Sequence, residues 1–148
     1  MYVKLLNGNP SRFPYNLGDL RQENPATSFP SVIDASTLAE FDVYVVTPTP
    51  VPEYDNKTHK PKQWVAQVNG TWLQTWEIQQ LPEDHAATNV RAERNRRLTA
   101  SDWTQLADTP LDPDAKLAWQ LYRETLRMVP EQSGFPWNVQ WPPEPGAN

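Results

Sequence analysis

The chain has 148 residues, a formal net charge of −5, 16 prolines, 7 tryptophans and no cysteine. The missing cysteine excludes disulfides, thiolate chemistry and cysteine-based zinc sites, and an aromatic content of 11% is too rich for a chain that cannot bury a core. The acidic balance argues against general nucleic-acid binding, no apolar run is long enough for a membrane helix, and the opening MYVKLLNGNP lacks the apolar core and cleavage site of a secretory signal.

Proline stands at roughly twice its usual ~5% share. It breaks helix interiors and is excluded from central strands, so the proline-free windows show where regular elements can form. Before the first such window, residues 2–6 read as a strand ending at Asn7-Gly8, and Asn16 as the cap of a short helix with Leu17, Leu20 and Arg21. The window 31–47 predicts a short helix capped by Ser36, then a strand over Phe41 to Thr47 rich in β-branched and aromatic residues. Pro48-Thr49-Pro50-Val51-Pro52 is expected to be extended and polyproline-like.

The window 62–81 predicts a hairpin. Trp64 to Val68 and Thr71 to Ile78 flank Asn69-Gly70, the strongest two-residue turn signal, because a type I′ turn needs positive φ at both positions. That turn sets Val68 opposite Thr71, Ala66 opposite Leu73 and Trp64 opposite Thr75. Val65, Gln67, Trp72 and Trp76 fall on the other face. Large apolar groups stand on both faces, so each face is expected to be covered in part, by the chain itself or by a partner.

The window 83–109 predicts a helix from Ala86 to Leu98. Four arginines fall in it (Arg91, Arg94, Arg96, Arg97), with Glu93 and Arg97 at the favoured i,i+4 polarity. Its apolar stripe is thin, mainly Val90 and Leu98. The arginines read as a solvated face or as a protein-binding face, where arginine is enriched. The window 114–129 predicts a helix with Asp112 as N-cap, Pro113 at its first position and an apolar stripe of Ala118, Leu121, Tyr122, Thr125, Leu126 and Val129, ended by Pro130. The tail from Phe135 to Pro143 is extended. Trp103 and Trp119 are expected to pack together. Trp137 and Trp141 read as staples that hold the tail or as anchors for a partner.

Chemistry is hard to find. His59 lies in a polar loop and His85 at a helix start. The carboxylate pairs Asp112/Asp114 and Glu83/Asp84 stand where helices begin, which the helix dipole explains without catalysis. No phosphate-binding glycine loop and no spaced metal-ligand set occurs. The residues therefore point to a binding or assembly factor, not an enzyme, with no cofactor and no metal.

One resemblance sharpens this. Arg91-Ala92-Glu93-Arg94-Asn95-Arg96-Arg97-Leu98, then Ser101-Asp102-Trp103-Thr104-Gln105-Leu106, Pro110-Leu111, Trp119-Gln120-Leu121-Tyr122-Arg123, Gly134-Phe135-Pro136 and Trp141-Pro142 resemble the phage tail assembly chaperone domain. Such domains occur in tail fibre assembly proteins of tailed bacteriophages. Tyr15 to Arg21, Asn24-Pro25, Ser28-Phe29-Pro30, Val43 to Val46 and Val68 to Trp72 resemble the front part of such proteins. The resemblance implies a non-enzymatic protein of the host bacterial cytoplasm that helps a fibre protein fold and trimerise, or a virion component that stays on the fibre or baseplate. Arg91, Arg94, Arg97, Trp103 and Trp119 match its motif.

The expected architecture is α+β. A β-rich part with the Asn-Gly hairpin spans residues 1–82. A two-helix, chaperone-like part with an extended aromatic tail spans 83–148. The expected partner is a trimeric tail fibre protein, with self-association an open alternative and neither nucleic acid nor membrane expected. Arg91, Arg94, Arg97, Trp72, Trp76, Trp137 and Trp141 are the candidate partner-binding residues.

Overall fold

The structure, a computed structural model, describes residues 1–146. In chain order it holds β1 (Tyr2–Leu6), β2 (Asn9–Tyr15), α1 (Leu17–Glu23), α2 (Ala35–Glu40), β3 (Val43–Thr47), β4 (His59–Val68), β5 (Thr71–Gln80), α3 (Glu83–Ala100) and α4 (Pro113–Met128). Short 3₁₀ turns follow α3 and α4, at Asp102–Gln105 and Val129–Glu131. The class is mixed α+β. The chain divides into two compact units, one of Met1–Glu53 with Pro61–Ile78, the other of Tyr54–Lys60 with the chain from Gln79 on.

The strands form one sheet in the order β2-β1-β3-β5-β4. β1 runs antiparallel to β2 and to β3, and β3 runs parallel to β5. β1 and β2 are joined by Asn7-Gly8, with φ of +52° and +78°. β2 corrects the proline-window reading, because it contains Pro10 and Pro14. It lies at the sheet edge, where one side of the backbone pairs with nothing and a missing N–H costs no ladder bond. The opposite edge repeats the correction: β4 begins at His59 and runs through Pro61, well before Trp64.

β4 and β5 are neighbours in the sheet and are joined by Asn69-Gly70, with φ of +49° and +79°. β3 starts later than its sequence suggests. Phe41 closes α2 by donating its N–H to Leu38, and Asp42 turns the chain at φ +56°. The cap of α2 is Asp34, not Ser36. The Asp34 carboxylate accepts from the Thr37 N–H at 2.8 Å and from the Ser36 hydroxyl at 2.7 Å, which holds its pKa below the usual value. α1 has the expected cap and completes it: Asn16 accepts from the Asp19 N–H, and Asp19 accepts from the Asn16 N–H, both at 3.0 Å.

Cross-strand partners share a face, so the register sorts the core. Val3 pairs with Tyr44, and Val46 with Trp72. These four, with Leu5, Val65 and Phe13, make one apolar cluster. Tyr2 pairs with Tyr15, and Val43 stands opposite Lys4. Tyr2, Tyr15 and Val43 belong to a second cluster on the other face, which α1 and α2 close with Leu20 and Leu38. After β3 the chain stays extended along β5. The Thr49 hydroxyl donates to the Gln74 carbonyl at 2.8 Å, its N–H to the Gln74 side chain at 3.3 Å, and Trp76 Nε1 donates to the Thr49 carbonyl at 3.1 Å. Pro48 and Pro50 bring no donors of their own, so Thr49 carries the whole contact.

In the second unit α4 begins as expected. Asp112 accepts from the Ala115 N–H at 2.8 Å and Pro113 occupies the first turn. Its buried face carries Trp119, Tyr122 and Leu126, against which Leu98, Leu111 and Trp141 pack. Trp103 meets Trp119 edge-on at 6.0 Å, as the sequence suggested. α3 buries Ala86, Ala87 and Val90. Arg123 of α4 is buried and reaches the open end of α3. One guanidinium nitrogen donates to the Leu98 carbonyl at 2.6 Å and the Ser101 hydroxyl at 2.7 Å, and another to Asp102 at 2.7 Å. A cation there adds a charged donor to the Leu98 carbonyl, which also accepts from the Ser101 N–H and hydroxyl, and opposes the negative end of the helix dipole.

Two stability outcomes follow from these contacts. Gly70→Ala destabilises by about 1–2 kcal/mol, the usual cost of a left-handed residue with a Cβ. Open space surrounds that position, with no atom within 4 Å of the added carbon, so the cost is purely conformational and Gly70→Asn costs less. A shift of the urea midpoint at constant slope measures both. Arg123→Met costs about 1.5–3 kcal/mol, the range for hydrogen bonds to a charged group. Arg123→Lys fails to restore it, because one ammonium cannot reproduce the planar fork that reaches three acceptors.

Candidate functional site

The arginine-rich helix and the aromatic tail form one construction. Glu93 is its pivot. The Glu93 side chain is only 9% exposed and accepts two bonds from Arg96, at 2.9 and 2.8 Å, and one from Arg97 at 2.8 Å. These bonds, that to Arg96 foremost, hold the Glu93 carboxyl at a pKa of about 2 against an ordinary 4.5, with burial opposing. Thus fixed, the Arg97 guanidinium lies over the Trp141 ring at 4.4 Å from its centre. Toward the start of α3, Arg91 lies over the Phe135 ring at 5.1 Å. Cation–π contacts of this kind hold a flat ring without asking the backbone for hydrogen bonds. That suits a tail whose prolines have none to give.

The seven sequence-predicted site residues are therefore placed as follows. Arg91 and Arg97 face Phe135 and Trp141 of their own chain. Arg94 donates to the neighbouring Asn95 side chain at 2.9 Å. Trp137 donates its Nε1 to the Leu81 carbonyl at 3.0 Å, and Trp141 packs on the Trp119 cluster. Trp72 is buried in the first sheet cluster, and Trp76 is half-buried with its N–H on Thr49. The two histidines stay apart: His59 sits beside the Thr58 hydroxyl, and His85 lies exposed 3.8 Å from Asp84. Among the described residues, no three His, Asp or Glu side chains converge as metal donors. No helix among them is long and apolar enough to cross a membrane.

What the spacing missed is on α4. Ala118, Leu121 and Thr125, expected in the buried stripe, are exposed. Leu121 at 55%, Leu117 at 54% and Met128 at 50% stand open to solvent. At 100° per residue these three fall within a narrow sector, opposite Trp119 and Leu126. α4 thus carries two apolar faces, and its own unit covers one. The signal was available: seven large apolar residues on this stretch are too many for a single sector. Trp103 and Leu106, in and just after the turn that follows α3, are also exposed. In the first unit, Trp64 and Trp76 line an open groove of about 420 Å³ with Lys62, Thr75 and Glu77.

The Glu93 pKa makes the construction acid-sensitive in a defined window. A carboxylate whose folded pKa lies below its unfolded value lends stability that is fully present above about 4.5 and is lost as pH falls toward about 2. In Glu93→Gln the decline of stability across that window flattens, while stability at neutral pH drops. Urea midpoints measured from pH 7 down to 2.5 check both.

The comparisons with known proteins bear on this same region. No curated protein and no solved structure matches the chain. Residues 87–146 match the family model described as phage tail assembly chaperone protein, a match that takes in most of α3, all of α4 and the aromatic tail but less than half of the chain. Over that C-terminal region the chain is similar to the phage tail assembly chaperone family.

Proposed function

We propose that the protein is a tail assembly chaperone whose client is a tail fibre protein, and that it acts without catalysis in the host bacterial cytoplasm. The observation that carries this reading is the outer face of α4. A helix inside the family-matched region leaves Leu117, Leu121 and Met128 half or more exposed to solvent. A folding fibre chain exposes apolar surface and unpaired strand edges before its subunits meet, and a transient cover keeps it from aggregating. An apolar helix face supplies such a cover through area alone and requires no reactive group.

In this reading the strap residues have a supporting task. Arg91, Arg97, Trp137 and Trp141 hold the tail against the helical unit, leaving α4 as the contact surface. The aromatic groove at Trp64 and Trp76 is a second contact in the β-rich part. Both parts, 1–82 and 83–148, then serve one client, whose trimerisation releases them.

Co-expression with the fibre protein tests this. The wild-type chain raises the yield of soluble trimeric fibre. Leu117→Lys with Leu121→Lys, both on an exposed face and within ~0.5 kcal/mol of wild-type stability, removes that gain while the variant itself stays folded. Equal yields of soluble trimer with wild type, with the variant and with no chaperone at all would sink the proposal.

A further inference from the structure

The two edges of the sheet are not alike. β2 is closed to further pairing by Pro10 and Pro14, and its Arg12 is held by Asp19 and Glu23 at 2.9 Å. β4, the other edge, is guarded only at its start, by Lys60, Pro61 and Lys62. Proline and lysine are the usual blocks against a further strand. The remainder of β4, Trp64-Val65-Ala66-Gln67-Val68, holds neither proline nor charge and is rich in strand formers. Alternate backbone N–H and C=O groups of an edge strand point away from the sheet, and only another extended chain can satisfy them as a ladder.

We propose that this edge pairs with the same edge of a second copy, giving a two-fold dimer with a continuous sheet. The segment is self-complementary. In an antiparallel pair centred on Ala66, Trp64 of one copy stands opposite Val68 of the other, twice over by symmetry. Trp64, Ala66 and Val68 are two apart and share a face, on which Trp64 is 43% and Val68 48% exposed. An aromatic residue against a β-branched one is among the favourable cross-strand pairs. Charge agrees with this occupant. No like charges meet within the paired segment, and Lys62 falls beside the uncharged Asn69-Gly70 turn of the other copy. The guard residues thus lie just outside the paired length and fix where pairing stops. The inference goes beyond the chaperone reading, whose main observation is α4, shares only Trp64 with the surfaces that reading uses, and is measured without any client.

Sedimentation equilibrium of the isolated full chain is the test. The wild type is a dimer at micromolar concentration. Trp64→Lys with Val68→Lys sets like charges opposite each other twice and weakens the dimer at least about tenfold. Trp64→Glu with Val68→Lys sets opposite charges there and restores dimerisation toward wild type. Both double variants place two charges at the same two positions, so general damage to the hairpin would strike both alike, and circular dichroism confirms that each is folded. A monomeric wild type overturns the proposal and leaves the edge to a strand from another protein. Equal dimerisation of wild type and the double lysine variant, or failure of the Glu/Lys variant to recover, overturns it as well.

Discussion

A chain in which sixteen residues lack a backbone N–H must place each of them where no donor is needed. Much of this fold follows from that constraint. Pro10, Pro14 and Pro61 lie in the two edge strands, and β1, β3 and β5 between them contain none. Pro113 opens α4 at a position whose N–H is an orphan anyway. Between Pro48 and Pro50, the single available N–H of Thr49 is spent on Gln74. The tail is not extended throughout, contrary to the sequence reading. Turns at residues 133–137 join the Phe135 N–H to the Gln132 carbonyl at 3.0 Å and the Asn138 N–H to the Gly134 carbonyl at 2.7 Å, and side chains supply further anchors. The indole N–H groups of Trp76 and Trp137 do this by bonding backbone carbonyls. The two guanidinium–ring contacts do it without any backbone group.

The arginines of α3 take their positions from the same need. A surface helix with so little apolar area gains little from burial, and Ala86, Ala87 and Val90 are small. Glu93 compensates by drawing Arg96 and Arg97 into fixed geometry, and Arg97 then offers a flat cation to Trp141. Arg123 ties α4 to the end of the same helix through Leu98, Ser101 and Asp102. With the tail and the open end of α3 both secured by charged groups, α4 does not have to spend its whole apolar circumference inside its own unit. The exposed Leu117, Leu121 and Met128 are compatible with a stable unit because polar and aromatic contacts elsewhere hold it together.

How much of this the sequence disclosed depended on the range of each interaction. Asp112-Pro113 and Asn16 mark helix starts through contacts that close within three residues, and both stand where they were expected. Asn7-Gly8 carries the same turn signal as Asn69-Gly70. It reads only as a strand end, with no strand expected after it, and whether Pro10 and Pro14 are tolerated depends on the position of β2 at the sheet edge, a non-local fact. Ser36 loses the cap to Asp34, two residues earlier, whose extended backbone brings its carboxylate to the Thr37 N–H. The pairing of Arg91 with Phe135, and of Arg97 with Trp141, joins positions far apart in the chain, and no periodicity within α3 points to it. The candidate site was legible as a region, in the arginines and tryptophans that resemble the chaperone domain. It was not legible as a surface.

That difference is an angular one. A helix that only serves a core carries its large apolar side chains within a limited sector, and the remaining turn is polar. α4 places Trp119, Tyr122, Leu126 and Val129 on one side, and Leu117, Leu121 and Met128 on the other. Glu124 borders the second side next to Leu117, while Lys116 and Arg127 fall between the two sides. Amphipathic reading collapses such a pattern into one broad stripe and counts its members as core. Measured against the geometry of 100° per residue, the same residues separate into two stripes, and the second has no use in the unit that carries it. Under the function proposed above, this arrangement lets a client bind and leave one face while the other keeps the protein folded.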